Sequence, residues 1–125
     1  GSVAIGEGLE DLRDLSRPGA ALYIGGMGAR SKNFYNDIFS KSGYSKEAKI
    51  IQDLYLSGEK KAAEEAIPDE YLANSSLIGP ESFVKERIHA LKESGVTSLN
   101  VNLMGQETAE RVAQLEKLRN LVDSM

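Results

Sequence analysis

Residues 76–103, SLIGPESFVKERIHALKESGVTSLNVNL, hold in succession a short apolar run, a helix start, an amphipathic segment, a turn and an alternating segment. Pro80 suits the first helical position, where its missing N–H would have no partner anyway, and Glu81 brings a carboxylate to the positive end of the helix dipole. Val84, Ile88 and Leu91 recur at i, i+4 and i+7, so they share one helix face. Ser94-Gly95 ends the helix. From Val96 to Leu103 the residues alternate, with Leu99, Val101 and Leu103 on one side and Ser98, Asn100 and Asn102 on the other, which is the two-residue period of a strand. With Ser76 to Ile78 taken as a buried strand, the stretch spells strand, helix, strand.

Toward the C-terminus, Glu107 to Val122 places Val112, Leu115, Leu118 and Val122 on one stripe and predicts an amphipathic helix. At the other end, Val3-Ala4-Ile5 is a short apolar run followed by Leu9, Leu12 and Leu15 at intervals of three, again strand then helix. Strands that alternate with helices imply parallel pairing through right-handed crossovers, because a parallel neighbour is reached only by a long return over the sheet. The fold class is therefore α/β. Three strand–helix units make either a small open sheet or the last three staves of an eight-stranded (β/α)8 TIM barrel, whose usual length of roughly 250 residues is about twice this chain. Periodicity leaves both open.

Between the first and second strands the pattern is helical. Pro18 opens a helix, Ala20 to Ile24 are mostly apolar, and Gly25-Gly26-Met27-Gly28 interrupts them. Each glycine weakens a helix by about 1 kcal/mol relative to alanine, so a break or a loosely wound turn is expected there. Phe34, Ile38 and Phe39 mark a helix closed at Gly43, and Ile50, Ile51, Leu54 and Tyr55 mark another closed at Gly58, both glycines suiting a left-handed cap. A charged segment, Glu59 to Ala66, leads to Ile67-Pro68 and a short helical piece with Tyr71 and Leu72.

The 125 residues, 41% hydrophobic, suffice for one small domain, read as a single α/β region over 3–125. Gly1-Ser2 reads as a cloning scar, and the apolar run from Val3 has no start methionine, so the chain is expected to begin inside something longer. No apolar run approaches the about 20 residues of a membrane span. The absence of cysteine rules out disulfides and thiolate metal sites, and a cytoplasmic setting is expected. The net charge of -4 is spread along helical patterns, which leaves no basic face for nucleic acid.

A family resemblance rests on Val3-Ala4-Ile5-Gly6, on Ala21 to Arg30 with Asn33-Phe34-Tyr35, and on Ile51 to Gly58. It continues through Ile67-Pro68-Asp69-Glu70, Ser76-Leu77-Ile78-Gly79-Pro80 and Ser94 to Val101. In this order the segments resemble the C-terminal region of the luciferase-like monooxygenase superfamily, in the branch of deazaflavin (coenzyme F420)-dependent oxidoreductases. The resemblance implies a barrel that passes a hydride between a deazaflavin, or in related branches FMN, and a small organic substrate, with the cofactor carrying the chemistry. It also implies that this chain supplies the sixth to eighth strand–helix units. The family's cofactor contacts lie mostly on earlier strands, so the fragment by itself is expected to bind no cofactor and to be inactive. Its open edges are expected to drive association into a homo-oligomer. The rival expectation is a self-contained α/β oligomerisation or interaction module without enzyme activity.

The candidate substrate- or cofactor-facing residues are Gly25, Gly26, Gly28, Arg30 and Asn102. The glycines let backbone approach either a ligand or a neighbouring helix; the run does not fit a dinucleotide fingerprint. Arg30, and less so Lys32, lie beside this break, where a cation can meet an anionic tail. Asn33 and Tyr35 can hydrogen-bond a ligand, although an asparagine at a helix start more often caps it. Asn102 stands toward the C-terminal end of its strand, the face on which barrel active sites are built; Asn100 reads as structural. Pro80 lacks the N–H that would make the turn at Gly79 a good anion site. His89, the only histidine, has no partners for a metal cluster. No catalytic residue is assigned.

Overall fold

The computed structural model describes all of residues 1–125. Its regular elements are β1 (Ser2–Ile5), α1 (Arg17–Ala21), α2 (Phe34–Phe39), α3 (Ser45–Leu56), α4 (Lys60–Glu65), α5 (Asp69–Asn74), β2 (Leu77–Gly79), α6 (Glu81–Glu93), β3 (Asn102–Leu103) and α7 (Thr108–Asp123). A 3-10 turn covers Glu10–Ser16, a single π-helical turn covers Leu22–Gly26, and Ser40–Tyr44 forms a kink between α2 and α3 at Gly43. The chain forms two compact units, Gly1–Arg13 with Ala73–Met125 and, between them in sequence, Asp14–Leu72.

The first unit is a parallel three-stranded sheet in the order β2-β1-β3. Val3, Ala4 and Ile5 face Leu77, Ile78 and Gly79, while Ser2 and Val3 face Asn102 and Leu103. The mixed α/β character and the parallel pairing match the expectation. The order does not follow the chain as consecutive barrel staves would, because β1 lies in the middle. Ladder parity explains which edges are used. Gly79 O accepts from Gly6 N, so Leu77 and Gly79 point their backbone groups at β1 and Ile78 points outward. Arg13 occupies that outer position, donating to Ile78 O from Nε at 3.0 Å and Nη2 at 2.6 Å while its guanidinium lies 4.7 Å from the centre of the Phe83 ring. With Arg13 on the outer edge of β2, β3 takes the other side of β1.

The strand expected from Val96 to Leu103 shortens to Asn102–Leu103. Its ladder rests on Asn102 N donating to Gly1 O and Met104 N to Val3 O, with the Gly1 amino group donating to Asn100 O. An alternating pattern forms a ladder only where a partner lies alongside, and in this run Asn102 and Leu103 are the residues paired with β1.

β3 also ends before it can serve Ile5, whose backbone groups by the same parity face the β3 side. Side chains of α7 do so instead, since Gln114 Oε1 accepts from Ile5 N at 2.8 Å and Lys117 Nζ donates to Ile5 O at 3.3 Å. This turns α7 away from the predicted stripe. Leu121 is buried and Leu118 packs on the core, while Val112, Leu115 and Val122 remain nearly half exposed. The core of this unit is Val3, Ile5, Leu77, Val84 and Leu121. The segment with Leu9, Leu12 and Leu15 forms the 3-10 turn and buries none of its residues; intervals of three fit a helix with three residues per turn.

The second unit packs its helices around Ala21, Ile24, Phe39, Ala48, Ile51, Ala63, Ile67 and Leu72. Gly43 and Gly58 adopt φ of 103° and 90°, the left-handed conformation expected where their helices end. Of the predicted apolar positions, Phe39 and Ile51 are buried, Ile38 and Ile50 are nearly half exposed, and Phe34 lies largely in solvent.

Candidate functional site

The helical interruption expected at Gly25 to Gly28 is the π-turn Leu22–Gly26, with Gly25 buried. A π-turn replaces the i→i+4 pattern, and its carbonyls need other donors. Asn33 Nδ2 donates to Tyr23 O and Ile24 O, both at 3.1 Å. Asn36 Nδ2 donates to Ile24 O and Ala48 O, both at 2.9 Å, and so ties the turn to α3. Asn33 is also the N-cap of α2, its Oδ1 accepting from Asn36 N at 3.0 Å. It is 1% exposed, so its polar groups serve the protein. The role of Asn36 was not anticipated from the sequence; the one available signal was an asparagine three residues after a helix-capping asparagine.

The glycines have packing partners. A Cβ on Gly25 would lie 2.5 Å from Tyr55 Cβ and 3.2 Å from Ile51 O. One on Gly26 would meet the Tyr55 ring, and one on Gly28 would lie 2.5 Å from Lys32 O. The first two let α3 approach the π-turn, and the third lets the following loop fold back. Arg30 Nη1 pairs with Asp53 Oδ1 on α3, and Lys49 Nζ reaches Asp53 Oδ2 at 3.1 Å. Hydrogen bonds from Lys49 and from Arg30 hold the Asp53 carboxyl below its ordinary value of 3.8. Lys32 is exposed. Tyr35 is 43% exposed and meets the Tyr23 ring edge-on at 4.8 Å.

Four of the candidates, Gly25, Gly26, Gly28 and Arg30, thus share one segment of the helical unit. Asn102 lies in the sheet unit, exposed, with its backbone N–H in the ladder to Gly1 O. Asn100 there accepts from the Gly1 amino group. His89 is on α6, its side chain 64% exposed and 4.0 Å from Glu93. No group of three or more His, Cys, Asp or Glu side chains is arranged to hold a metal ion.

Residues 1–98 match the luciferase-like monooxygenase family, and the chain belongs to that family. A provisionally named coenzyme F420-dependent oxidoreductase of Mycobacterium tuberculosis (strain H37Rv) is 33% identical to it over 99 residues, which cover 79% of this chain and 28% of that protein. The chain thus spans less than a third of the length of this relative. No solved structure matches.

Proposed function

We propose that this chain is the C-terminal part of a luciferase-like, coenzyme F420-dependent oxidoreductase, with FMN as the alternative cofactor, and that it is inactive when isolated. In the whole enzyme a hydride passes to or from a small organic substrate in the cytoplasm, and this chain contributes the last three strand–helix units of a (β/α)8 barrel. The observation that carries this reading is the 33% identity to a protein named for coenzyme F420, of which only 28% is covered. In a closed barrel β3 would sit beside β2, and the edge of β1 that β3 now occupies would take the preceding strand.

Tyr55 fills the space at Gly25 and Gly26, and Arg30 pairs with Asp53. Gly25, Gly26 and Gly28 stay proposed substrate- or cofactor-facing positions of the whole enzyme beside their packing against Tyr55 and Lys32. The exposed Arg30 and Asn102 stay the proposed ligand contacts of the whole enzyme, and no step of hydride transfer is routed through them here. Titration of the purified chain with coenzyme F420 and with FMN, followed by absorbance and fluorescence, is expected to show no stoichiometric binding. Saturation at one cofactor per chain would overturn the proposed inactivity.

The second reading, a self-contained interaction module, is favoured by one feature: both edges of β1 are filled from within the chain. Solution mass separates the two. The fragment reading expects a homo-oligomer that covers the outer edge of β3, and the module reading expects a stable monomer.

A further inference from the structure

The helical unit contains an open recess of about 310 Å³, with Tyr23, Ile24, Tyr35, Ile38, Phe39 and Ser42 in its lining. Three observations meet there. First, the π-turn Leu22–Gly26 contributes Tyr23 and Ile24, and Ser42 comes from the segment after α2 that kinks at Gly43. A turn of this kind occurs mostly as a single bulge in an α-helix and is frequent at functional sites. The π-turn is held open by the amide groups of Asn33 and Asn36, so Tyr23 is carried on an anchored backbone.

Second, the floor is solid and the wall is aromatic. Ile24 and Phe39 are each 3% exposed, whereas Tyr23 and Tyr35 are 45% and 43% exposed. These two rings already stand at 72° to each other, the edge-to-face arrangement that a third ring can extend. Third, no charged side chain lines the recess, and burying an unpaired charge is costly. Ser42 Oγ donates to Ile38 O at 2.7 Å, which leaves its lone pairs to accept from a ligand.

We propose that this recess binds an uncharged, flat aromatic compound of one or two rings that carries a hydroxyl or ring N–H donor. Its size is at the lower end of small-molecule pockets, and an apolar lining with a few polar groups is their usual composition. The proposal stands independently of the oxidoreductase reading.

Calorimetric titration of the purified chain with 2-naphthol tests it, with decahydro-2-naphthol as a saturated, non-planar comparison and 2-naphthoate as a charged one. Saturable 1:1 binding of 2-naphthol is expected, with both comparisons weaker by about three- to tenfold or more, the fold-change of one lost aromatic contact. Tyr35→Ala should weaken 2-naphthol by at least about tenfold, while Tyr35→Phe keeps binding. Ile50→Ala, an exposed position outside the lining, should leave binding unchanged. Circular dichroism establishes that each variant is folded. No saturable heat with 2-naphthol, equal binding of the saturated compound, or full binding by folded Tyr35→Ala would overturn the proposal.

Discussion

Asn33 caps α2 with its oxygen and gives its amide to two carbonyls of the π-turn, all from a nearly inaccessible position. Asn33→Ala removes the cap and leaves buried acceptors short of a donor, and should lower stability by about 2–3 kcal/mol, read from the urea midpoint. Asn33→Asp keeps an acceptor at the cap but turns a buried carboxylate oxygen toward the carbonyls of Tyr23 and Ile24, so at neutral pH its midpoint should fall no higher than that of Asn33→Ala; a midpoint for Asn33→Ala within error of the parent would show that the network is not needed. Asp53 is a different kind of residue, half in solvent and held ionised by Lys49 and Arg30. Its folded pKa lies below its ordinary value, so its contribution to stability is present above the unfolded pKa near 3.8 and is lost as the pH falls through the folded value. Asp53→Asn should therefore be slightly less stable than the parent at neutral pH, with the gap closing in acid and narrowing in high salt. Urea midpoints measured from pH 7 down to about pH 2 read this; a gap that persists at the acid end would assign it to packing.

At the scale of elements, the contact between the π-turn and α3 makes a prediction in which two adjacent glycines behave differently. Ala at position 26 meets the ring of Tyr55, whereas Ala at position 25 meets Tyr55 Cβ and Ile51 O. Gly26→Ala should cost about 1–3 kcal/mol, and Tyr55→Ala in the same chain should recover part of that by removing the ring. Gly25→Ala should cost at least as much and should not be rescued, because an alanine at 55 keeps the offending Cβ; thermal melts of the four variants decide it. The helix after Pro80 and the left-handed glycines at 43 and 58 were legible in the sequence, since proline, acidic and glycine signals act within a turn of their own position, although Pro80 is the N-cap and the first helical residue is Glu81. The rotation of α7 was not, because Gln114 and Lys117 turn toward Ile5 only once β3 has stopped short of it. The strand at Val96 to Leu103 was legible as a pattern and overestimated as a ladder, since alternation marks two faces but not which residues find a partner strand, here Asn102 and Leu103. At the candidate site the glycine break could be read locally, but Tyr55 and Asp53, which occupy its two sides, come from 23 or more residues away.

For the molecule as a whole, the sheet unit shows how far a short parallel sheet can close its own edges. Unpaired strand edges invite further pairing, and Arg13 at Ile78 O and α7 at Ile5 each cover one such place. The outer side of β3 has no equivalent. By ladder parity Val101 and Leu103 point their backbone groups away from β1, and an apolar groove of about 560 Å³ runs beside them, lined by Ile88, Leu99, Val101, Leu118 and Val122 among others. Leu99 is 43% exposed in it. If the proposed homo-oligomer forms through this edge, Leu99→Lys should oppose it by putting a charge where apolar burial is needed. Full burial of a leucine contributes about 1.5–3 kcal/mol, so the variant should shift the self-association constant by about ten- to a hundredfold. Leu15→Lys, at a position 68% exposed on the 3-10 turn, should leave association as it was. Light scattering over a concentration series reads both, and a parent chain that stays monomeric at every concentration would favour the self-contained module, because it would mean that a bare strand edge beside an apolar groove is tolerated in solution without a second copy.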